Sequence, residues 1–279
     1  MTDTATARGK LYVVGTPIGN LADLSDRARE ALAGADVIAA EDTRRTRGLL
    51  LHIRAETPVL AYHEHNEREL VAELVDRLVR GAKIALVSDA GTPLISDPGW
   101  RLVHAARAAG IDVVPIPGPS AVIVALCATG LATDRFAFEG FLPRRAAARS
   151  ERLRALRAEP RTLVFFESVH RLEETLDALV EQLGADRRAA LARELTKVYE
   201  QVVSATLGEL RARLGVDVPL LGEFVIVVAG APDDAPPDER RAREIFDLLR
   251  AELEPDKALK LTAAITGMSR NELYRLTRT

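Results

Sequence analysis

The chain has 279 residues, 47% of them hydrophobic, and a formal charge of -3 at pH 7. That length and apolar content support two packed domains and exclude a disordered polypeptide. The near-neutral balance removes any global signature of nucleic-acid binding, so such a role must rest on local patches. The single cysteine, Cys127, excludes an intramolecular disulfide and a multi-cysteine zinc site, and fits a reducing, cytoplasmic setting.

Residues 1–9 are small and polar and read as a disordered leader. From Lys10 onward, LYVV (11–14), DVIAA (36–40), KIALVS (83–88) and DVVPI (112–116) read as strands buried on both faces. Between them, Ser25 caps the helical run SDRAREALAGA, and residues 66–81 repeat apolar side chains at helical spacing and stop at Gly81. The alternation predicts an N-terminal α/β domain over 10–130 with a mostly parallel sheet. The longest apolar runs, such as VIVALCA (122–128), fall well short of the roughly 20 residues that span a bilayer, so a soluble protein with no membrane partner is expected.

Residues 130–143, GLATDRFAFEGFLP, show no clear helix and read as a crossing between domains. After it, TLVFFES (162–168), AALARE (189–194), YEQVVSAT (199–206) and EFVIVVAG (223–230) read as strands, with clear helical patterns only at 145–158 and 169–182. So few helices predict a mixed sheet in a second α/β domain over 131–230. APDDAPPDE (231–239) is a linker rich in proline and acid. The tail, 240–279, holds one helix in REIFDLLRAEL and two more around a Gly267-Met268-Ser269 turn, with Ser269 and Glu272 placed as a capping box. This is a helix-turn-helix pattern. Residues 257–279 carry five Lys/Arg against one Glu and read either as a solvated hairpin or as a nucleic-acid contact.

Three predicted strands end in loops of Gly, Pro and small polar residues: Gly15-Thr16-Pro17-Ile18-Gly19-Asn20, the run from Asp89 to Gly99, and Pro115 to Ala121. Open α/β sheets bind ligands at such C-terminal strand ends, where Gly permits close approach and Pro fixes shape in advance. The spacings of the dinucleotide and triphosphate fingerprints are absent, which argues against both ligands.

Three segments hold candidate reactive side chains. In Glu41-Asp42-Thr43-Arg44-Arg45-Thr46-Arg47, Asp42 reads as a base or a helix N-cap, and Arg44 and Arg47 as phosphate ligands. In Tyr62-His63-Glu64-His65-Asn66-Glu67, two histidines lack the third ligand a metal needs, so no metal is expected; the segment reads either as a solvated polar loop with Asn66 as a helix cap, or as placing His63 in contact with RNA or in catalysis. In RELTKVYE (193–200), Glu194 and Lys197 are candidate catalytic groups: the lysine acts as a base if its pKa is lowered, or as a cation beside a developing alkoxide. Residues 144–161 add seven arginines against two glutamates, and Arg145, Arg149 and Arg152 fall on one face of the predicted helix, where they suit phosphates.

The ordered series GTPIGNLADLSDRA, AEDTRRTRGLL, YHEHNE, VSDAGTPLISDPG, PIPGPSA, FEGFLP, RELTKVYE and GEFVIVV resembles the tetrapyrrole-methylase superfamily. Within it, the series is similar to the branch that methylates the ribose 2'-hydroxyl of cytidine 1402 in 16S ribosomal RNA, and the closing DKALKLTAAITGMSRNELYRL resembles that branch's helical tail. The resemblance implies two α/β domains with S-adenosylmethionine in the cleft between them, a homodimer, and a 16S rRNA or small-subunit partner. It carries the donor contacts to Pro17, Ile18, Thr92, Ile95, Ser96, Ser120 and Ala121, with Phe166 packing on the adenosine. The sequence departs from the pattern at Val169, where the family shows Pro. Two rivals remain. A corrin or porphyrin precursor methylase would need no helical tail, and a ligand-sensing helix-turn-helix protein would bind duplex nucleic acid without turnover.

Overall fold

The computed structural model describes residues 8–232 and 239–277. These fall into two units, within 1–230 and 231–279. The leader expected over residues 1–9 and the linker expected over 231–239 lie largely outside the described residues.

The first unit opens with strictly alternating elements: β1 (Lys10–Val14), α1 (Asp26–Ala33), β2 (Val37–Ala40), α2 (Thr43–Ile53), β3 (Val59–Ala61), α3 (Glu67–Val79), β4 (Lys83–Val87), α4 (Trp100–Ala108), β5 (Asp112–Ile116) and α5 (Ala121–Thr129). Its five strands are all parallel, in the order β3-β2-β4-β1-β5. The strands are apolar on both faces because both are covered. Ile84 and Leu86 of β4 face Leu74 and Leu78 of α3 and Leu102 of α4, while Ala85 and Val87 face Ala28 and Leu32 of α1 and Leu50 of α2. Ser25 caps α1 as expected, its hydroxyl accepting from the Ala28 N–H at 3.2 Å. Asn66 stands at the α3 N-cap, but its side chain turns back: Oδ1 accepts from the His63 N–H and Nδ2 donates to the Ala61 carbonyl.

The second sheet is mixed. It comprises β6 (Phe136–Phe141), β7 (Thr162–Ser168), β8 (Arg188–Arg193), β9 (Gln201–Thr206) and β10 (Glu223–Val228), interspersed with α6 (Ala146–Ala155), α7 (Leu172–Leu183) and α8 (Leu207–Arg213). The order is β6-β7-β10-β8-β9, with only the β6–β7 pair parallel. Residues 130–143, read as a crossing, therefore contain an edge strand; its alternating aromatics belong to β6, and a register shift between Phe138 and Gly140 weakens its pattern. The helix α8, short at seven residues, escapes the sequence pattern, though Thr206 and Glu209 form a capping box at its start.

One face of the second sheet packs on α6, α7 and α8. The other packs on α5: Val122, Ala125 and Leu126 lie against Val164, Ala192, Val225 and Val227. The helix that follows the first sheet in sequence thus covers the second sheet, which explains why α5 is apolar over nearly its whole length, although Ile123, Cys127 and Ala128 are exposed.

The second unit is a bundle of α9 (Glu239–Glu252), α10 (Pro255–Thr266) and α11 (Arg270–Thr277) around Ala242, Leu259, Met268 and Leu273. Pro255 opens α10, and Gly267 closes it in the left-handed region at φ 73°. Ser269 and Glu272 form the expected capping box. Among the described residues, no helix is long and apolar enough to cross a membrane.

Candidate functional site

Because β4, β1 and β5 are adjacent and parallel, their C-terminal ends bring the three loops to one edge of the sheet. The loops then lock onto one another. Thr16 and Gly91 exchange two backbone hydrogen bonds, at 2.8 and 3.0 Å, and the Thr92 hydroxyl donates to the Pro119 carbonyl at 3.4 Å. Gly15 and Gly118 meet backbone to backbone: a β-carbon on Gly118 would lie 2.7 Å from the carbonyl of Gly15. No side chain fits there. Leu94 and Ser96, in the second loop, hold left-handed φ values of 75° and 65° that non-glycine residues rarely adopt.

Between these loops and the second sheet lies a cavity of about 360 Å³. Ile18, Thr92, Ile95, Ser96, Ser120, Ala121 and Phe166 line it; Pro17, the remaining expected contact, does not. The far wall comes from the second sheet and includes Phe141, Glu167, Ala192, Leu195, Glu223 and Val225, none of them singled out in the sequence. Phe166 packs edge-on against Phe138 and Phe141, with ring centroids 4.9 and 5.7 Å away. A pocket with apolar and aromatic walls and a few hydroxyls suits a nucleoside-sized ligand. Three carboxylates, from Asp97, Glu167 and Glu223, also line it.

At the rim, the β8–β9 loop carries Glu194 and Lys197. The Lys197 ammonium bridges Glu194 at 2.8 Å and Glu223 at 2.9 Å. Burial pushes the lysine pKa down, but hydrogen bonds to the two carboxylates outweigh it and leave it raised, while the same contact lowers Glu194. Lys197 is therefore held as a cation, which removes the reading of it as a base and leaves that of a charge beside an alkoxide. Glu194 and Thr196 flank this turn with φ values of 49° and 66°. It is a strained loop of the kind found at functional sites.

Asp42 has a structural job. Its carboxylate caps α2 through the Arg44 N–H at 2.8 Å and is gripped by the Arg44 guanidinium at 2.8 Å, which holds its pKa down to about 2. A carboxylate so stabilised is a weak proton acceptor, which weighs against Asp42 as a base and for its reading as the helix N-cap. Arg44 is exposed but paired with Asp42, whereas Arg47 is exposed with no carboxylate partner among the described residues.

The arginine face also needs correcting. Arg145 is exposed, and Arg152 reaches Glu139 at 2.5 Å. Arg149, however, is buried with only 6% exposure, its guanidinium 3.4 Å from Glu174. It shares its side of the helix with buried Leu153 and Leu156, so it packs inward against α7 and cannot meet a phosphate at the surface. His63 is half-buried, its Nδ1 has no hydrogen-bond partner, and its ring lies 5.8 Å from that of His65. Among the described residues, no group of three or more His, Cys, Asp or Glu is placed to hold a metal ion.

The sequence matches two family models: tetrapyrrole (corrin/porphyrin) methylases over residues 10–211, and the RsmI C-terminal HTH domain over 234–277. It is 52% identical over 267 residues to the ribosomal RNA small subunit methyltransferase I of Xylella fastidiosa (strain Temecula1), covering 95% of this chain and 98% of that protein. To the protein of the same name from Escherichia coli O157:H7 it is 50% identical, covering 96% and 94%. Among solved structures, the uroporphyrin-III-C-methyltransferase from Thermus thermophilus superposes with a TM-score of 0.54 at 24% identity, covering 80% of this chain and 94% of that one. That likeness speaks to the fold.

Proposed function

Since the chain belongs to the tetrapyrrole (corrin/porphyrin) methylase family, we propose that it is an S-adenosylmethionine-dependent methyltransferase acting on the ribose 2'-hydroxyl of cytidine 1402 in 16S ribosomal RNA. The observation that carries the reading is the cavity where three interlocked loops meet Phe141 and Phe166. Ile18, Ile95, Ala121 and Phe166 suit the adenosine, and the hydroxyls of Thr92, Ser96 and Ser120 suit its polar edges. When bound, the donor supplies an electrophilic methyl group on a sulfonium. Rigid loops hold the reacting partners in line, and Lys197, fixed by Glu194 and Glu223, offers positive charge near the rim, where an alkoxide develops.

The RNA assignment draws on the relatives' names and on the tail matched over 234–277. Exposed Arg47, Arg44 and Arg145, with Arg152 and His63, are the side chains we assign to RNA. The tail favours RNA over a corrin or porphyrin precursor, which needs no such appendage. The protein works in the cytoplasm as a homodimer on the small ribosomal subunit, and its halves 10–130 and 131–230 each contribute one wall of the donor site. Incubation with labelled S-adenosylmethionine and either small ribosomal subunits or naked rRNA, followed by mapping of the label, tests the reading. Label on the 2'-oxygen of cytidine 1402 is expected; RNA without label refutes it.

A further inference from the structure

Deprotonating a ribose hydroxyl needs a base, and the groups singled out from the sequence do not provide one. Lys197 is held charged, Glu194 is paired with it and its carboxyl is lowered by that contact, Asp42 is bound to Arg44, and His63 is not among the residues that line the cavity. Three carboxylates line the donor cavity. Glu167 is fully buried and spent on structure: it accepts from the Thr175 hydroxyl at 2.6 Å and the Ser168 N–H at 2.8 Å, with Arg171 at 3.5 Å. Glu223 binds Lys197. Asp97 is the third, and among the described residues it has no cationic partner. It stands in the second donor loop, directly after Ser96, whose left-handed backbone sets the direction of the turn.

We infer that Asp97 is the general base that removes the proton from the acceptor hydroxyl, an inference that rests on the methyl-transfer reading above. The groups around it support the role. Ser88 hydrogen-bonds its carboxyl, and Glu41 and Asp89 face it from the ends of β2 and β4; Arg45, at 3.7 Å, is engaged with Asp89 instead. Burial drives the Asp97 carboxyl up to about 6; the Ser88 hydrogen bond opposes this, and the charges of Glu41 and Asp89 add to it. Glu41 is itself raised, by burial and by Asp89. A carboxylate in this range is ionised at neutral pH yet basic enough to accept a proton in a transition state. In the step, Asp97 takes the hydroxyl proton as the ribose oxygen bonds to the methyl carbon. The carbon–sulfur bond breaks with its electron pair left on sulfur, and the proton on Asp97 passes to solvent once the products leave.

The test compares the full-length protein with Asp97→Asn. Carbon-13 NMR of the donor-free wild type is expected to show the Asp97 carboxyl titrating near pH 6, and calorimetry to show that Asp97→Asn binds S-adenosylmethionine within about 3-fold of wild type. On small ribosomal subunits, the wild-type kcat is expected to rise with pH through the same ionisation, whereas Asp97→Asn loses about 10²–10⁴-fold and the rise disappears. A carboxyl titrating near the ordinary value of about 3.9, a variant that keeps its rate, or one that no longer binds the donor each overturns the assignment, the last by making Asp97 a donor ligand. A wild type that binds donor but labels no RNA overturns the methyl-transfer reading, and this assignment with it.

Discussion

Gly19 packs directly against Lys197: a β-carbon on the glycine would lie 2.4 Å from the lysine Cγ and 3.1 Å from Thr196 Oγ1. The contact joins the first donor loop to the β8–β9 loop and sets where the ammonium sits between Glu194 and Glu223. In Gly19→Ala, the lysine must move off this position. We expect kcat to fall about tenfold, equivalent to about 1.4 kcal/mol, with a far smaller change in Tm. Equal rates in variant and wild type would show that the position of Lys197 is immaterial.

Lys197→Met removes the cation and leaves two carboxylates facing each other. If the ammonium stabilises the alkoxide, kcat falls about 10²–10³-fold while donor affinity changes little. Single-turnover methylation with parallel calorimetry separates the two effects, and a loss confined to donor affinity would contradict the role.

Phe166→Ala removes a ring held between Phe138 and Phe141 on the cavity wall. Donor affinity is expected to weaken about tenfold, because stacking area is lost where we propose the adenosine binds. Calorimetric titration with S-adenosylhomocysteine checks it; an unchanged Kd would move the adenosine elsewhere in the cavity.

Asp97→Asn has a consequence for stability as well. Because the folded state raises this carboxyl from its ordinary value to about 6, the native protein binds the proton more tightly than the unfolded chain does. Ionising Asp97 therefore costs stability, and this cost grows as pH rises from about 4 to 6 and then levels off. The variant is expected to melt higher than wild type at pH 7.5, with the difference shrinking toward pH 4. Melting curves at both pH values decide it.

Arg47→Ala and Arg145→Ala each delete an exposed cation that has no carboxylate partner among the described residues. Each is expected to weaken binding to rRNA and to reduce the slope of log K against log salt by about 1. Arg149→Ala should instead lower Tm, since it opens a buried position between α6 and α7 and leaves Glu174 unpaired. Filter binding at several salt concentrations, set beside melting curves, distinguishes the surface arginines from the buried one.

The sequence by itself determined the parallel sheet, the three loops at its strand ends and the capped helices of the tail, because each depends on neighbours within a few residues: apolar alternation, glycine and proline at turns, and Ser269 three residues before Glu272. Local patterns mark such features. The tertiary structure decided the rest. Phe141, Glu223 and Asp97 meet in one cavity only because α5 packs on the second sheet and brings its strands against loops far earlier in the chain, as far back as the one that holds Ile18. Arg149 turned inward for the same kind of reason: helical spacing places it on a face with Arg145 and Arg152, but whether that face meets water or α7 depends on packing. The protonation states of Lys197 and Asp97 were likewise beyond local reading. One is kept charged by Glu194 and Glu223, the other pushed toward neutrality by burial, and both environments exist only once distant strands come together.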